Sequence, residues 1–199
     1  MRALIMAGGV GSRLGMGEKP LVRIAGRPMI SFVIDAFLAA DVTPVVVTST
    51  QTPYTKNWCR ANDIRFVSTE GSGYLEDLAQ AVVILEETGP LFVSVSDIPC
   101  LRADIISSIR DEYIGSGMQA CSTWVPLSLC HRFGTKPRYQ MDIHGVPASP
   151  AGINILDGSC IHAEQQEHRL ILHEQGLVFN VNTRSELELL EKHFLSLMK

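Results

Sequence analysis

Residues 7–20 read AGGVGSRLGMGEKP and directly follow the apolar run ALIM at positions 3–6. The apolar run predicts a buried strand. Glycines that leave such a strand let backbone N–H groups approach an anion closely, because glycine has no Cβ. The cationic side chains of Arg13 and Lys19 suit an anion as well. The segment therefore predicts a phosphate-binding loop at the end of the first strand.

Two common phosphate loops do not fit this segment. A P-loop needs a Lys followed by Ser or Thr directly after its last glycine, whereas Lys19 lies between Glu18 and Pro20. The dinucleotide-binding fingerprint GxGxxG can begin at Gly9, but its third glycine position holds Leu14. A longer loop with cations at its middle and end remains, and it would wrap a triphosphate. A structural glycine-rich turn with incidental surface charges is the alternative.

The bulk composition limits the class of protein. With 46% hydrophobic and 19% charged residues, the 199-residue chain is not disordered, and its net charge of −4 argues against a general nucleic-acid binder. No apolar run reaches the roughly 18 residues of a membrane span, and the N-terminus lacks the pattern of a secretory signal. Five cysteines without a CxxC pair indicate neither a zinc site nor a disulfide framework. We expect one domain over residues 1–199, in the cytoplasm.

Strand and helix patterns alternate along most of the chain, which predicts an α/β fold of three layers, a mainly parallel sheet with helices on both faces. Residues 127–147 carry Pro, Gly and mixed charge without a sustained period, and they predict an inserted loop. Thr183 and Glu186 predict a capping box at the start of the last helix. Strands are predicted at 2–7, 42–50, 64–69, 90–97, 118–126, 151–158, 168–174 and 177–182, and helices at 27–40, 52–62, 73–88, 102–117 and 183–198.

Two oxygen-bearing side chains follow predicted strands. Asp97 ends the strand FVSVSD, and a carboxylate at the carboxyl end of a parallel strand faces the crevice where open α/β sheets bind ligands. Beside a triphosphate it is the expected ligand of Mg²⁺; the alternative is an N-cap for the following helix. Asn182, where the strand 177–182 meets the last helix, is either that helix's cap or a neutral second metal ligand.

The segment LIMAGGVGSRLGMGEKPL at 4–21 resembles the signature LxGGxxxRxGxxKPL of sugar-nucleotide and cofactor nucleotidyltransferases. GSGYLEDL (71–78), Ser96–Asp97, PAGIN (150–154) and FNVNT (179–183) resemble the archaeal family of GTP:adenosylcobinamide-phosphate guanylyltransferases, over nearly the whole chain. The resemblance implies a Rossmann-like, GT-A-like nucleotide-diphospho-sugar transferase fold. It also implies Mg²⁺-dependent transfer of GMP from GTP to adenosylcobinamide phosphate in cobamide synthesis, with release of pyrophosphate.

Such a reaction needs positioned charges rather than a strong base, because a phosphomonoester acceptor is already ionised near neutral pH. In the resembling enzymes an Asn in a turn of this kind joins the Asp on the metal, which favours Asn182, with Asn180 nearby. The predicted catalytic residues are Arg13, Lys19 and Asp97, and the predicted metal ligands are Asp97 and Asn182. The predicted nucleotide-binding residues are Gly8, Gly9, Gly11, Ser12, Arg13, Lys19, Gly73, Glu76, Asp77 and Gly152.

Base selection and the acceptor side stay open at this stage. Glu76 and Asp77, or the backbone carbonyls of 71–73, are candidates for reading the purine; equally, the two acids only favour a helix N-terminus. Gly152 either lets the chain pass close to the ribose or acceptor, or forms a tight turn. The cations of 127–147 either close on the acceptor's phosphate or are solvated loop charges. These cations are Arg132, Lys136 and Arg138.

Two other functions also fit the sequence. The first keeps the enzyme class and changes the acceptor to molybdopterin or a sugar phosphate. The second is a catalytically inert sensor that binds GTP through the same loop. The expected partners are GTP and adenosylcobinamide phosphate, without nucleic acid or a membrane span, and a homodimer is one possible assembly.

Overall fold

The computed structural model describes residues 1–9, 11 and 14–198, and in them ten strands and six helices alternate. The strands are β1 (Arg2–Met6), β2 (Arg23–Ile24), β3 (Arg27–Pro28), β4 (Thr43–Ser49), β5 (Phe66–Thr69), β6 (Pro90–Val95), β7 (Ala120–Pro126), β8 (Met141–Ile143), β9 (Val146–Asp157) and β10 (Glu167–Ile171). The helices are α1 (Met29–Ala39), α2 (Pro53–Ala61), α3 (Tyr74–Ile84), α4 (Ala103–Ser116), α5 (Leu127–Arg132) and α6 (Arg184–Leu197).

One mixed sheet organises the chain. Its strands follow the order β10-β7-β9-β6-β1-β4-β5, and β8 pairs with β9. Strand β1 pairs in parallel with both β6 and β4, so the carboxyl ends of these three strands meet at one edge. Strand β9 runs antiparallel between β6 and β7. The residues after β1 and β6 are thereby brought together at that edge, although they are about ninety positions apart in the sequence.

The alternation of side chains along β1 divides the core in two. Ala3 and Ile5 face a large apolar cluster to which α1, α4 and α6 contribute. Leu4 and Met6 face the opposite side, where Leu78 of α3 covers the sheet. Because neighbouring strand residues point to opposite faces, a continuous apolar run buried on both sides is what a central parallel strand requires. The three-layer, mainly parallel architecture expected from the sequence is confirmed.

Two local predictions differ from the structure. The strand predicted over 177–182 is wrong: Gln175–Val178 form a 3₁₀ turn, and the chain then runs irregularly to α6. The apolar residues there, among them Phe179 and Val181, are buried against the core rather than paired in the sheet. The segment 127–147, expected to be a loop, contains α5 and the hairpin of β8 with β9. In the described part of the chain, no helix is long and apolar enough to cross a membrane.

Candidate active site

Asp97 lies two residues beyond the end of β6 and is only 3% exposed. Burial raises the pKa of its carboxyl group, and the ammonium of Lys19 opposes that rise. The alternative reading of Asp97 as a helix cap is wrong, because α4 begins at Ala103 with Arg102 in the N-cap position. The backbone carbonyl of Asp97 instead accepts a hydrogen bond from the backbone N–H of Val181 at 3.0 Å. A buried acid is thus fixed at the carboxyl edge of the sheet.

Lys19 brings Asp97 and Asn182 into one cluster. Its ammonium donates to Oδ2 of Asp97 and, at 3.0 Å, to Oδ1 of Asn182. The amide of Asn182 in turn donates to Oδ1 of Asn180 at 2.5 Å. Within residues 1–9, 11 and 14–198, Oδ1 of Asp97 is buried without a hydrogen-bond partner. Since a buried acceptor without a partner is costly, this oxygen is available for a ligand.

The start of α6 explains the placement of Asn182. Thr183 occupies the N-cap position and accepts a hydrogen bond from the backbone N–H of Glu186 at 3.3 Å, so the Thr183 half of the predicted capping box is confirmed. The carboxylate of Glu186 accepts from the backbone N–H of Asn182 at 2.8 Å. Asn182 itself is therefore not the cap, and its side chain is free to turn toward Lys19.

A cavity of about 370 Å³, here called the glycine-loop cavity, opens beside this cluster. Its size falls in the range of small-molecule sites, which is about 300–1,000 Å³. Residues that follow β1, β4 and β6 contribute to its wall, as expected where the carboxyl ends of parallel strands meet. It is lined by Met6, Gly8, Gly9, Lys19, Gln51, Gly71, Ser72, Gly73, Tyr74, Asp77, Val95, Ser96 and Asp97.

Glycine occupies positions 8, 9 and 11 for different structural reasons. The carbonyl of Gly8 accepts a hydrogen bond from Oγ of Ser49 at 2.7 Å, while a Cβ on Gly9 would meet nothing within 4 Å. Gly11 has a φ of +62°, and a Cβ there would lie 2.4 Å from Cβ of Lys19. Glycine at position 11 therefore allows the loop to pass directly over Lys19. The other two predicted loop residues, Ser12 and Arg13, lie outside the described residues.

Glu18 anchors the end of the loop. Its carboxylate accepts hydrogen bonds from the backbone N–H of Tyr54 at 2.8 Å, and from both the backbone N–H and the hydroxyl of Thr55 at 2.6 Å. These N–H groups belong to the first turn of α2, whose N-cap residue Thr52 makes no side-chain cap. Glu18 thus supplies the missing cap and holds the neighbouring Lys19 against the sheet edge.

The segment 71–73 also lines the glycine-loop cavity. Oδ1 of Asp77 accepts from the backbone N–H groups of Gly71 at 2.9 Å and Ser72 at 3.3 Å, so Asp77 shapes this turn. Gly73 has a φ of +149°, and a Cβ on it would lie 2.3 Å from Oε2 of Glu76. Glu76 is exposed and is not among the residues that line the cavity. Of the two candidate acids, only Asp77 reaches it.

Gly152 lies within β9 rather than in a tight turn, so that alternative is wrong. Its φ is +86°, and a Cβ would approach Cγ2 of Val95 to 2.7 Å. Gly152 lines neither of the cavities beside the Asp97 cluster. The absence of a side chain lets β9 pack tightly on the end of β6. Contact with a ribose stays a prediction.

Sequence reasoning missed three residues of this region. Gln51 and Tyr74 line the glycine-loop cavity, and Glu18 anchors the loop. Gln51 follows β4 closely, so its position at a strand's carboxyl end was a usable signal. The sequence signal for Glu18 was weaker: it is an acid directly beside the predicted phosphate-binding Lys19. The contact partners of Glu18 are 36 and 37 positions away, and no local pattern predicts them.

The cysteines do not contribute to this site. All five are free, and burial raises the pKa values of Cys59 and Cys121 to about 11 and that of Cys100 to about 12. In the described residues, no group of three or more His, Cys, Asp or Glu side chains could hold a metal ion. The oxygens of Asp97 and Asn182 form a smaller set, of the kind that suits a cation shared with a phosphate.

Residues 3–170 match the family model of the MobA-like NTP transferase domain. The chain is 34% identical to the adenosylcobinamide-phosphate guanylyltransferase of Methanocaldococcus jannaschii, and the aligned part covers 96% of both chains. It is also 32% identical to the molybdenum cofactor guanylyltransferase of Shewanella sediminis, over 55% of each chain.

The same architecture occurs in solved structures. The molybdopterin-guanine dinucleotide biosynthesis protein A of Archaeoglobus fulgidus superposes with a TM-score of 0.70, over 98% of this chain and 100% of its own. The sequence identity is 16%, so the likeness concerns the fold. The predicted GT-A-like nucleotide-sugar transferase fold is confirmed.

Proposed function

Because the chain belongs to the MobA-like NTP transferase domain family, we propose that it transfers GMP from GTP to adenosylcobinamide phosphate in cobamide synthesis. The observation that carries the proposal is the similarity to the Methanocaldococcus enzyme along nearly the full length of both chains. The molybdenum cofactor enzyme of Shewanella sediminis aligns over about half of each chain. The cobinamide acceptor is therefore better supported than molybdopterin.

GTP occupies the glycine-loop cavity in this proposal. The backbone of Gly8 and Gly9 lies at its wall, where N–H groups can approach phosphate oxygens without a side chain in between. Lys19 carries the positive charge that the triphosphate needs, and Glu18 holds it in position. The turn shaped by Asp77 also lines the cavity and supplies backbone groups for the guanine in this proposal.

We further propose Mg²⁺ as the cofactor. The partnerless Oδ1 of Asp97 and the amide oxygen of Asn182 fit a hard cation that prefers oxygen ligands. When bound, Mg²⁺ would offset the negative charge that develops on the α-phosphate and on the leaving pyrophosphate. In the described arrangement the ammonium of Lys19 occupies Oδ2 of Asp97 and Oδ1 of Asn182, so it would have to release the amide oxygen for a cation to bind both residues.

The transfer step requires no protein base. A phosphate oxygen of the acceptor bonds to the α-phosphorus of GTP, and the bond from that phosphorus to the bridging oxygen of the β-phosphate breaks. The products are adenosylcobinamide-GDP and pyrophosphate. The second pKa of a phosphomonoester is near 6, so the acceptor already carries its negative charge at neutral pH. The residues position the two substrates and stabilise charge.

The direct test incubates the protein with adenosylcobinamide phosphate, Mg²⁺ and GTP, ATP, CTP or UTP in turn, and measures pyrophosphate. We expect release with GTP, and adenosylcobinamide-GDP by mass spectrometry. Turnover only with molybdopterin or a sugar phosphate would assign another acceptor. GTP binding without turnover on any acceptor would indicate a sensor. Cytoplasmic location and a homodimer stay predictions.

A variant connects the activity to the site. Asp97→Asn should lower kcat by about 100-fold or more, because a preorganised charge beside the reacting phosphate is lost. The matched control is Asp111→Asn on α4, whose side chain is 76% exposed and lines neither of the cavities beside the cluster. Retention of activity in the Asp97 variant to within tenfold of the control would remove Asp97 from the mechanism. A thermal melt of both variants checks that each is folded.

A further inference from the structure

A second cavity, here called the insert cavity, adjoins the Asp97 cluster at Asn182. Its volume is about 220 Å³, and Asn180 and Asn182 form part of its wall. Oδ1 of Asn182 accepts a hydrogen bond from Lys19, which lines the glycine-loop cavity. The two cavities therefore meet at the contact between Lys19 and Asn182. A group in the insert cavity lies next to a nucleotide in the glycine-loop cavity.

The wall of the insert cavity combines cations with apolar surface. Lys136 and Arg138 line it and are both exposed. Across residues 1–9, 11 and 14–198, neither side chain forms an ion pair. The one acid in the wall, Glu186, is occupied by the backbone N–H of Asn182. The wall also includes the buried Phe179. These features favour an anion attached to a less polar group.

We propose that Lys136 and Arg138 bind the phosphate of the acceptor in the insert cavity. The inference rests on the proposed nucleotidyl transfer. In an in-line displacement the attacking and leaving oxygens lie on opposite sides of the phosphorus. With the triphosphate held by the glycines after β1, the acceptor must approach from the side away from them. The insert cavity shares no lining residue with the glycine-loop cavity and reaches the Asp97 cluster through Asn182 instead.

The size of the insert cavity sets what enters it. A volume of about 220 Å³ is below the range of about 300–1,000 Å³ that encloses drug-sized ligands. A corrinoid ring is larger still, so only the phosphate and the chain that carries it fit inside. The ring stays outside the cavity; Tyr139, which lines it and is exposed, has its ring 6.3 Å from that of Trp124, centre to centre. The cations therefore act on the phosphate and not on the ring.

The test compares Lys136→Ala and Arg138→Ala with Arg132→Ala. Arg132 is an exposed cation of the same segment that does not line the insert cavity, so it controls for the loss of one positive charge. Each cavity variant should raise the KM for adenosylcobinamide phosphate by about tenfold, since a hydrogen bond to a charged group is lost. The KM for GTP should stay within twofold of wild type. Arg132→Ala should leave both values unchanged.

A ligand without the phosphate separates recognition from general damage. Equilibrium dialysis with a non-hydrolysable GTP analogue measures the affinity for adenosylcobinamide phosphate and for adenosylcobinamide. The cavity variants should lose about tenfold on the first compound and nothing on the second. Equal losses on both, or none on either, overturn the inference.

This binding readout also keeps the two hypotheses apart. If wild type never releases pyrophosphate, yet the variants lose affinity for the phosphorylated compound alone, the transfer fails and the phosphate site stands. If wild type does release pyrophosphate and the variants behave like Arg132→Ala, the phosphate site fails and the transfer stands. If wild type does not bind the phosphorylated compound, both fail.

Discussion

Replacement of Glu18 by glutamine should loosen the loop without changing the size of the side chain. In the structure Oε1 accepts one hydrogen bond, from Tyr54, and Oε2 accepts two from Thr55. A glutamine oxygen in the position of Oε2 keeps the two bonds to Thr55 as neutral ones. Its NH₂ group then faces the N–H of Tyr54, where two donors cannot pair. One charge-assisted hydrogen bond is therefore lost outright.

The magnitude follows from this count. One hydrogen bond to a charged group is worth about 1.5–3 kcal/mol, and an anion at a helix N-terminus adds about 0.3–1 kcal/mol. Together they predict a loss of about 2–4 kcal/mol in the free energy of unfolding. For a chain of this length that corresponds to a fall in Tm of about 4–16 °C. The KM for GTP should rise several-fold as well, because Lys19 directly follows Glu18.

The assay is a thermal melt combined with steady-state kinetics. Glu188→Gln is the matched control, since Glu188 is exposed on α6 and its replacement should change stability by less than about 0.5 kcal/mol. A Tm for Glu18→Gln within 2 °C of the control would refute the reasoning. So would a large fall in Tm with an unchanged KM for GTP, because the anchor would then not position Lys19.

Three further changes probe the fold. Gly152→Ala should cost about 2–3 kcal/mol in urea unfolding, because φ is +86° and the new Cβ would press on Val95; Gly89→Ala, where a Cβ meets nothing within 4 Å, should not. Thr183→Ala should cost about 1 kcal/mol by removing the α6 cap, and an unchanged urea midpoint would contradict that role. At pH 8 a thiol reagent should modify Cys160 first, because the thiolate reacts and burial raises the pKa of the other cysteines. Rapid labelling of more than one thiol per folded chain would contradict this. The buried cysteines are Cys59, Cys100, Cys121 and Cys130.

The elements with a clear period were predictable from the sequence. β1 and β4 are apolar runs buried on both faces, and α1 and α3 carry apolar stripes, so local pattern and tertiary burial agree. The prediction of a strand over 177–182 was wrong because its apolar residues are buried in the core, where no neighbouring strand pairs with them. The two-residue strands β2 and β3 are too short to give any periodic signal.

The candidate site was predictable only in part. Glycines after β1 and an acid after β6 mark the sheet edge, because parallel strands place their carboxyl ends together. Lys19 and Asn182, which are in contact, lie 163 positions apart in the sequence. No local sequence pattern predicts a contact over such a separation. The sequence shows Lys136 and Arg138 as two cations of the segment 127–147. Only the fold places them with Asn182 in the wall of one cavity.

The length of β9 has a consequence for how such proteins diversify. Its residues 153–157 pair with β6, while 146–150 pair with β7 and β8 and include two residues of the insert cavity wall. Insertions or deletions at the tip between β8 and β9 would remodel that wall and leave the register beside β6 untouched. Under the proposed acceptor site, such changes would alter the wall that contacts the acceptor, while the strand edge beside the glycine-loop cavity keeps its position.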